Sequence, residues 1–200
     1  TLEGDKFDLL GYSDEMLCVE GGNSLLPMAM GKLLKPVLQF HKVLKSVEKT
    51  GSDYELAFDD GTVAKADYVV LAVPQSALRK IEINVRLPNK LKRFIEEVEF
   101  GQNEKVIGGF ESIPWQDDGK FGLEAWSDLG FAEAWYSSQR QSDIGRSSLT
   151  FFLGGKQSRA VNNDALLVGS TFVNRLQPFV PSIKQAANKQ YFATHWGRAP

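Results

Sequence analysis

A lysine among apolar residues and four tryptophans are the side chains in this sequence best suited to chemistry. Lys105 opens the run KVIGGF. A lysine held in an apolar site can be tuned for function, whereas one at a strand end usually serves as a solvated terminus or as edge protection. Trp115, Trp126, Trp135 and Trp196 each offer a large aromatic face and one N–H, which suits a core or the wall of a ligand pocket. Other constellations fall away. Two histidines, His41 and His195, and one cysteine, Cys18, are too few ligands for a structural zinc site. Cys18 has no partner for an internal disulfide, and a lone cysteine is more often a packing residue than a nucleophile. Asp59, Asp60, Asp117 and Asp118 lie in turn contexts, where the carboxylate favours the bend itself. Gly154-Gly155-Lys156 lacks the flanking residues of a phosphate loop, and no G-x-G-x-x-G occurs.

The elements that must carry these residues follow from composition and periodicity. The chain has 200 residues, 42% apolar and 24% charged, with a net charge of -2, so it reads as one or two ordinary globular domains. Balanced charge gives no nucleic-acid footprint, and no apolar stretch approaches the roughly 20 residues of a membrane span. The beginning, TLEGDKFDLLGY, lacks the basic end and apolar run of a signal peptide. Gly21 to Ser24 predict a turn and an N-cap, followed by a short helix through Leu25, Met28, Leu33 and Leu34. Residues 37–48 alternate as an exposed-face strand, and Asp59-Asp60-Gly61 joins the next two strands in a hairpin. Residues 68–73 are apolar and β-branched throughout, which predicts a strand buried on both faces and ending at Pro74. Beyond it, Leu91, Phe94, Ile95 and Val98 form an amphipathic helix stripe within 88–100. Strands follow at 105–111, 124–126, 131–136 and 148–153, then a helix over 165–180 and a last strand at 191–196. The fold class is α+β: a mixed, largely antiparallel sheet flanked by helices, preceded by a β-meander, with a boundary near Pro74 between 1–75 and 76–200.

The run DGTVAKADYVVLAVPQSALRKIEI resembles the flavin-containing amine oxidase family, which includes monoamine, polyamine and L-amino-acid oxidases. Leu87-Pro88 and a helix follow in the family's order, then Gly101, Lys105, Pro114 and Trp115 at similar intervals. Upstream, EGGNSLLPMAM is similar to the family's G-G-x-x-x-L helix start; downstream, Trp196 and Pro200 resemble the beginning of W-x-x-x-P-x-x-x-G. The family's glycine-rich ADP-binding motif and its C-terminal flavin segment have no counterpart here. The resemblance therefore implies the internal part of an amine oxidase, with residues 76–200 as its substrate domain and residues 1–75 as part of its FAD domain.

The resemblance also implies roles. Val43 would meet the FAD adenine region through its backbone, Ala72 and Pro74 would lie near the ADP portion, and Trp196 would belong to the cofactor side. Lys105 would hold the water that bridges to flavin N5. Trp126 and Trp135, following Trp115 on the substrate sheet, are candidates for the pocket wall. The implied reaction takes a hydride equivalent from the carbon bearing a small-molecule amine, giving an imine, with oxygen as final acceptor; the cofactor carries the chemistry. Two other readings share these residues: a related flavoprotein such as a protoporphyrinogen oxidase or carotenoid desaturase, and a non-catalytic binding or scaffold relative. Because phosphate-binding backbone comes chiefly from a glycine-rich turn and its helix N-terminus, the 200-residue chain alone is expected not to retain FAD tightly. Flavin absorbance of the purified chain checks this, and a near-stoichiometric yellow preparation would overturn it.

Overall fold

A computed structural model describes residues 2–3, 6–7, 17–117, 124–139, 145–161 and 164–196. The chain divides into two compact units, Thr1–Asn89 and Lys90–Pro200. The first begins with a two-residue antiparallel pair, β1 (Leu2–Glu3) and β2 (Lys6–Phe7), followed by helix α1 (Leu25–Leu34). Ser24 stands at the expected N-cap but already has helical dihedrals and no side-chain capping bond; instead Asn23 Oδ1 accepts the Val19 N–H. A four-stranded sheet follows, built from β3 (Leu44–Thr50), β4 (Asp53–Phe58), β5 (Val63–Ala66) and β6 (Glu82–Asn84) in the order β5-β4-β3-β6. The short helix α2 (Gln75–Leu78) precedes β6.

The hairpin between β4 and β5 turns on Asp59-Asp60-Gly61 as expected. Gly61 takes φ +80, the left-handed conformation that only glycine enters freely. Asp60 acts as a turn former: its carboxylate pairs with Lys42 and accepts the Thr62 hydroxyl and, at 3.0 Å, the Thr62 N–H, and these bonds, that of Lys42 first, hold its pKa well below the usual carboxylate range.

Three expectations are corrected in this unit. The strand expected from residue 37 starts only at Leu44, because His41 takes φ +59, a backbone conformation that cannot continue a strand. Residues 68–73 form no buried strand. Tyr68 is 89% and Val70 88% exposed, and the segment leaves β5 at the edge of the sheet with no ladder beside it. A β-branched run becomes a strand only where partner strands take its hydrogen bonds. The division between units also falls later than Pro74, because β6 returns to pair in parallel with β3, Ser46 opposite Glu82 and Glu48 opposite Asn84.

The second unit opens with helix α3 (Asn89–Glu97), which carries the expected stripe and an i,i+4 pair between Arg93 and Glu97. Five antiparallel strands make its sheet: β7 (Asn103–Phe110), β8 (Glu124–Trp126), β9 (Glu133–Tyr136), β10 (Ser147–Gly154) and β11 (Ala187–Ala193), in the order β11-β7-β10-β9-β8. Helices α4 (Pro114–Asp117), α5 (Ala165–Leu176) and α6 (Ile183–Ala186) complete it. Asp164 caps α5 by accepting the Leu167 N–H at 2.9 Å. The helix ends at Leu176, short of the expected Val180, and the chain turns back with Val180 fully buried. The last strand starts earlier than expected and breaks register between Ala187 and Tyr191, around Lys189 at φ +62. Asp117 closes α4, whereas Asp118 and Pro200 lie outside the described residues. No described helix is long and apolar enough to cross a membrane.

One sheet face meets α5 and holds the core. Phe131, Phe151 and Phe172 pack edge to face at centroid distances of 5.0 and 5.3 Å, and buried Trp115 sits between Phe110 and Tyr136 at 5.1 and 5.4 Å. Trp115 is thus a core residue. Tyr191 of β11 fits because two facing positions are glycine. A Cβ on Gly169 of α5 would lie 2.1 Å from its Cδ1, and one on Gly108 of β7 2.9 Å from its Cε1. Gly169→Ala is expected to lower the urea midpoint, since overpacking costs about 1–3 kcal/mol against at most ~1 kcal/mol gained in helix propensity. An unchanged or raised midpoint would show that the Tyr191 ring moves aside freely.

Candidate functional site

Strand β7 decides which side chains reach the face away from α5. Alternation sends Glu104, Val106 and Phe110 toward the core, where all three are buried, and Lys105, Ile107 and Gly109 to the opposite side, where they are half-buried. Lys105 is therefore neither a strand end nor an edge residue: it is the third residue of a strand paired on both sides.

Directly opposed residues of antiparallel strands share a face, so register assembles the site. Lys105 is opposite Phe152, Phe152 opposite Glu133, and Glu133 opposite Trp126. The adjacent row runs Phe192, Ile107, Thr150, Trp135 and Glu124. Lys105, Trp126 and Trp135, separate in sequence, thus lie on one open sheet face. The Lys105 ammonium sits 5.4 Å from the Trp135 ring centroid, and Trp135 tilts against Phe152 at 5.9 Å. Such a cation–π contact contributes about 0.5–1 kcal/mol at exposed sites and more when desolvated. No carboxylate among the described residues pairs with Lys105. Its donors remain available for a bound group or a water. Trp126, on the edge strand β8, is 58% exposed and borders a cleft of about 280 Å³ whose far wall is Leu176 and Phe179 from the α5 side.

Glu133 and Glu124, on the same face, escaped the sequence reading. Burial first, and then the neighbouring Glu124 charge, raise the Glu133 pKa. Glu104 and Thr194 were missed as well. Thr194 Oγ1 accepts the Lys105 N–H at 2.8 Å and donates to Glu104 Oε2 at 2.7 Å, which also accepts the Trp196 N–H at 3.2 Å. The Trp196 backbone is thereby tied to Glu104, the residue before Lys105, while its ring is largely exposed. Only the register of β7 and β11, which spacing does not reveal, could have signalled this.

Val43, Ala72 and Pro74 belong to the first unit. All three are exposed. The Val43 carbonyl accepts the Asp59 N–H at 2.9 Å, and Pro74 precedes α2, its carbonyl accepting from Ala77 and Leu78. Their segments lie outside the ladders, but Pro74 has no N–H and its carbonyl is already spent on α2. A flavin's demands are met in part: an unpaired ammonium, aromatic faces and unladdered backbone are present, and a glycine-rich phosphate cradle is not.

The α+β fold is shared with solved amine oxidases. It matches putrescine oxidase bound to putrescine with a TM-score of 0.74 at 19% identity, over 90% of this chain and 39% of that one. Cyclohexylamine oxidase from Brevibacterium oxydans IH-35A matches with a TM-score of 0.73 at 17% identity, over 88% and 39%. In sequence, L-amino-acid oxidase of Crotalus adamanteus is 26% identical over 128 residues, 61% of this chain and 25% of that protein. That of Sistrurus catenatus edwardsii is 24% identical over 135 residues, 64% and 26%. The chain thus spans about a quarter of the length of the curated relatives it matches. Residues 3–197 match the family described as flavin containing amine oxidoreductase, and the chain belongs to that family.

The raised pKa of Glu133 has a sign that can be tested. A carboxyl that binds its proton more tightly folded than unfolded contributes stability below the unfolded pKa, about 4.3, and loses it as pH rises through the folded value. Glu133→Gln is expected to raise the melting temperature at pH 7, with the gain fading below pH ~4 as the wild-type carboxyl protonates. A pH-independent difference between the two proteins would remove titration of Glu133 as the cause.

Proposed function

We propose that the second unit is the substrate-binding part of an FAD-dependent amine oxidase and that the first unit belongs to the same enzyme's FAD-binding domain. The observation that carries this is Lys105, unpaired by any described carboxylate and set against Trp135 on the one sheet face that α5 leaves open. When bound, FAD supplies the electron-pair acceptor that the amine's α-carbon requires, and the route from there to oxygen. Lys105 would hold the water at flavin N5. Val43 would meet the adenine region through its backbone, Ala72 and Pro74 would lie near the ADP portion, and Trp196 would stand at the cofactor side.

The remaining work falls to binding and solvation. Trp126 and Trp135 would form the pocket wall with Phe152. Aromatic faces attract an incoming ammonium and displace its water. Once the amine lies near Lys105, the like charge lowers its proton affinity and favours the neutral form, the one whose lone pair assists oxidation to the imine. A cation fixed at that position also favours developing negative charge beside it. The glycine-rich motif and the carboxy-terminal flavin segment would come from the rest of the longer enzyme.

Lys105→Met in the full-length enzyme keeps most of the stem volume while removing charge and donors. Folding and flavin content are expected to survive. Reoxidation by oxygen should slow at least ~10-fold, equal to about 1.4 kcal/mol of barrier, with amine-driven reduction changing less. Stopped-flow measurement of the two half-reactions checks this, and unchanged reoxidation would leave Lys105 a structural residue.

A further inference from the structure

We infer that Glu104 is a positioning residue, whose carboxylate latches the backbone at Trp196 to the strand that carries Lys105. The inference rests on the proposed assignment of Lys105 and Trp196 to the cofactor side, and supplies what would hold them together. Glu104 is only 8% exposed and precedes Val106 and Phe110 on the core-facing row of β7. A carboxylate buried there is costly unless charge-assisted hydrogen bonds compensate it. Two do: Thr194 Oγ1–H and the Trp196 N–H converge on the same oxygen, Oε2.

The position of this pair along the sheet gives it its role. Strand β11 ends at Ala193, and its last backbone bond to β7 runs from the Thr194 N–H to the Lys105 carbonyl at 2.9 Å. Beyond that point no ladder fixes the described residues, 195 and 196. The Thr194 hydroxyl continues the connection by accepting the Lys105 N–H and donating to Glu104, which in turn accepts from Trp196. Both backbone groups of Lys105 are thereby spent on Thr194, and Trp196 is held two residues past the end of pairing by a side chain on the strand of Lys105. The sheet interior does not need this carboxylate, since apolar side chains fill that row more cheaply. What it adds is a fixed spacing between two residues far apart in sequence.

The test uses the full-length flavoprotein with Glu104→Met, which retains volume and removes the acceptor, and Glu104→Gln, whose amide oxygen accepts both bonds. In Glu104→Met, peptides covering 191–196 are expected to exchange amide hydrogen at least ~10-fold faster while peptides from β10 keep their protection, and the FAD dissociation constant should rise at least ~5-fold. Glu104→Gln should recover most of both. If Glu104→Met does not fold, Thr194→Val removes the central hydroxyl and should move the same two readouts in the same direction. Unchanged exchange at 191–196 overturns the latch, as does faster exchange with unchanged FAD affinity when Trp196→Phe does weaken FAD. An FAD constant unmoved by Trp196→Phe would instead overturn the cofactor-side assignment, and with it this inference.

Discussion

Period-two alternation on β7 governs which side chains of the second unit form its core and which reach the open face. Val106 and Phe110 must face α5, because burying large apolar side chains stabilises by roughly 1.5–3 kcal/mol each. That requirement sends Lys105 to the other side, into register with Phe152 and within reach of Trp135. A one-residue slip would move Lys105 into the core and Val106 onto the open face. The cost of burying an unpaired ammonium excludes that register. The core therefore fixes where the lysine points, and mutations on the α5 side can disturb the open face without touching it.

The open face gathers opposite charges at different depths. Lys105 meets aromatic carbon and no described carboxylate, whereas Glu133 and Glu124 repel each other further along the same sheet. Phe152 stands between Lys105 and Glu133 in the cross-strand row. That aromatic spacer separates the ammonium from the carboxylate that could neutralise it. Under the proposed function, this keeps Lys105 able to bind a water or favour negative charge instead of spending its donors on a protein acceptor.

Elements with strong local signals were legible in the sequence. The Asp59-Asp60-Gly61 hairpin, α1, α3 and the strands from β7 to β10 follow from turn chemistry and periodicity. The positions of Lys105, Trp126 and Trp135 on one face were not legible, since they depend on pairing across distant segments. For the same reason Lys105 resembled a strand end, because composition cannot show that β11 and β10 flank it. Glu104 was hidden differently. Its neighbours suggest only a strand beginning, and its function depends on Thr194, which no spacing rule places opposite Lys105.

Residues 68–73 show what happens when a local signal and its tertiary partners are separated. The segment is apolar on both faces, yet Tyr68 and Val70 are nearly fully exposed and no described strand lies alongside. A solvent-facing loop gains nothing from such a run. β propensity reflects fit to a pleated, half-buried surface, so Val69, Val70 and Val73 make no strand where no described strand pairs with them. The run then closes at Pro74, which has no N–H for a ladder and whose carbonyl accepts from Ala77 and Leu78 of α2.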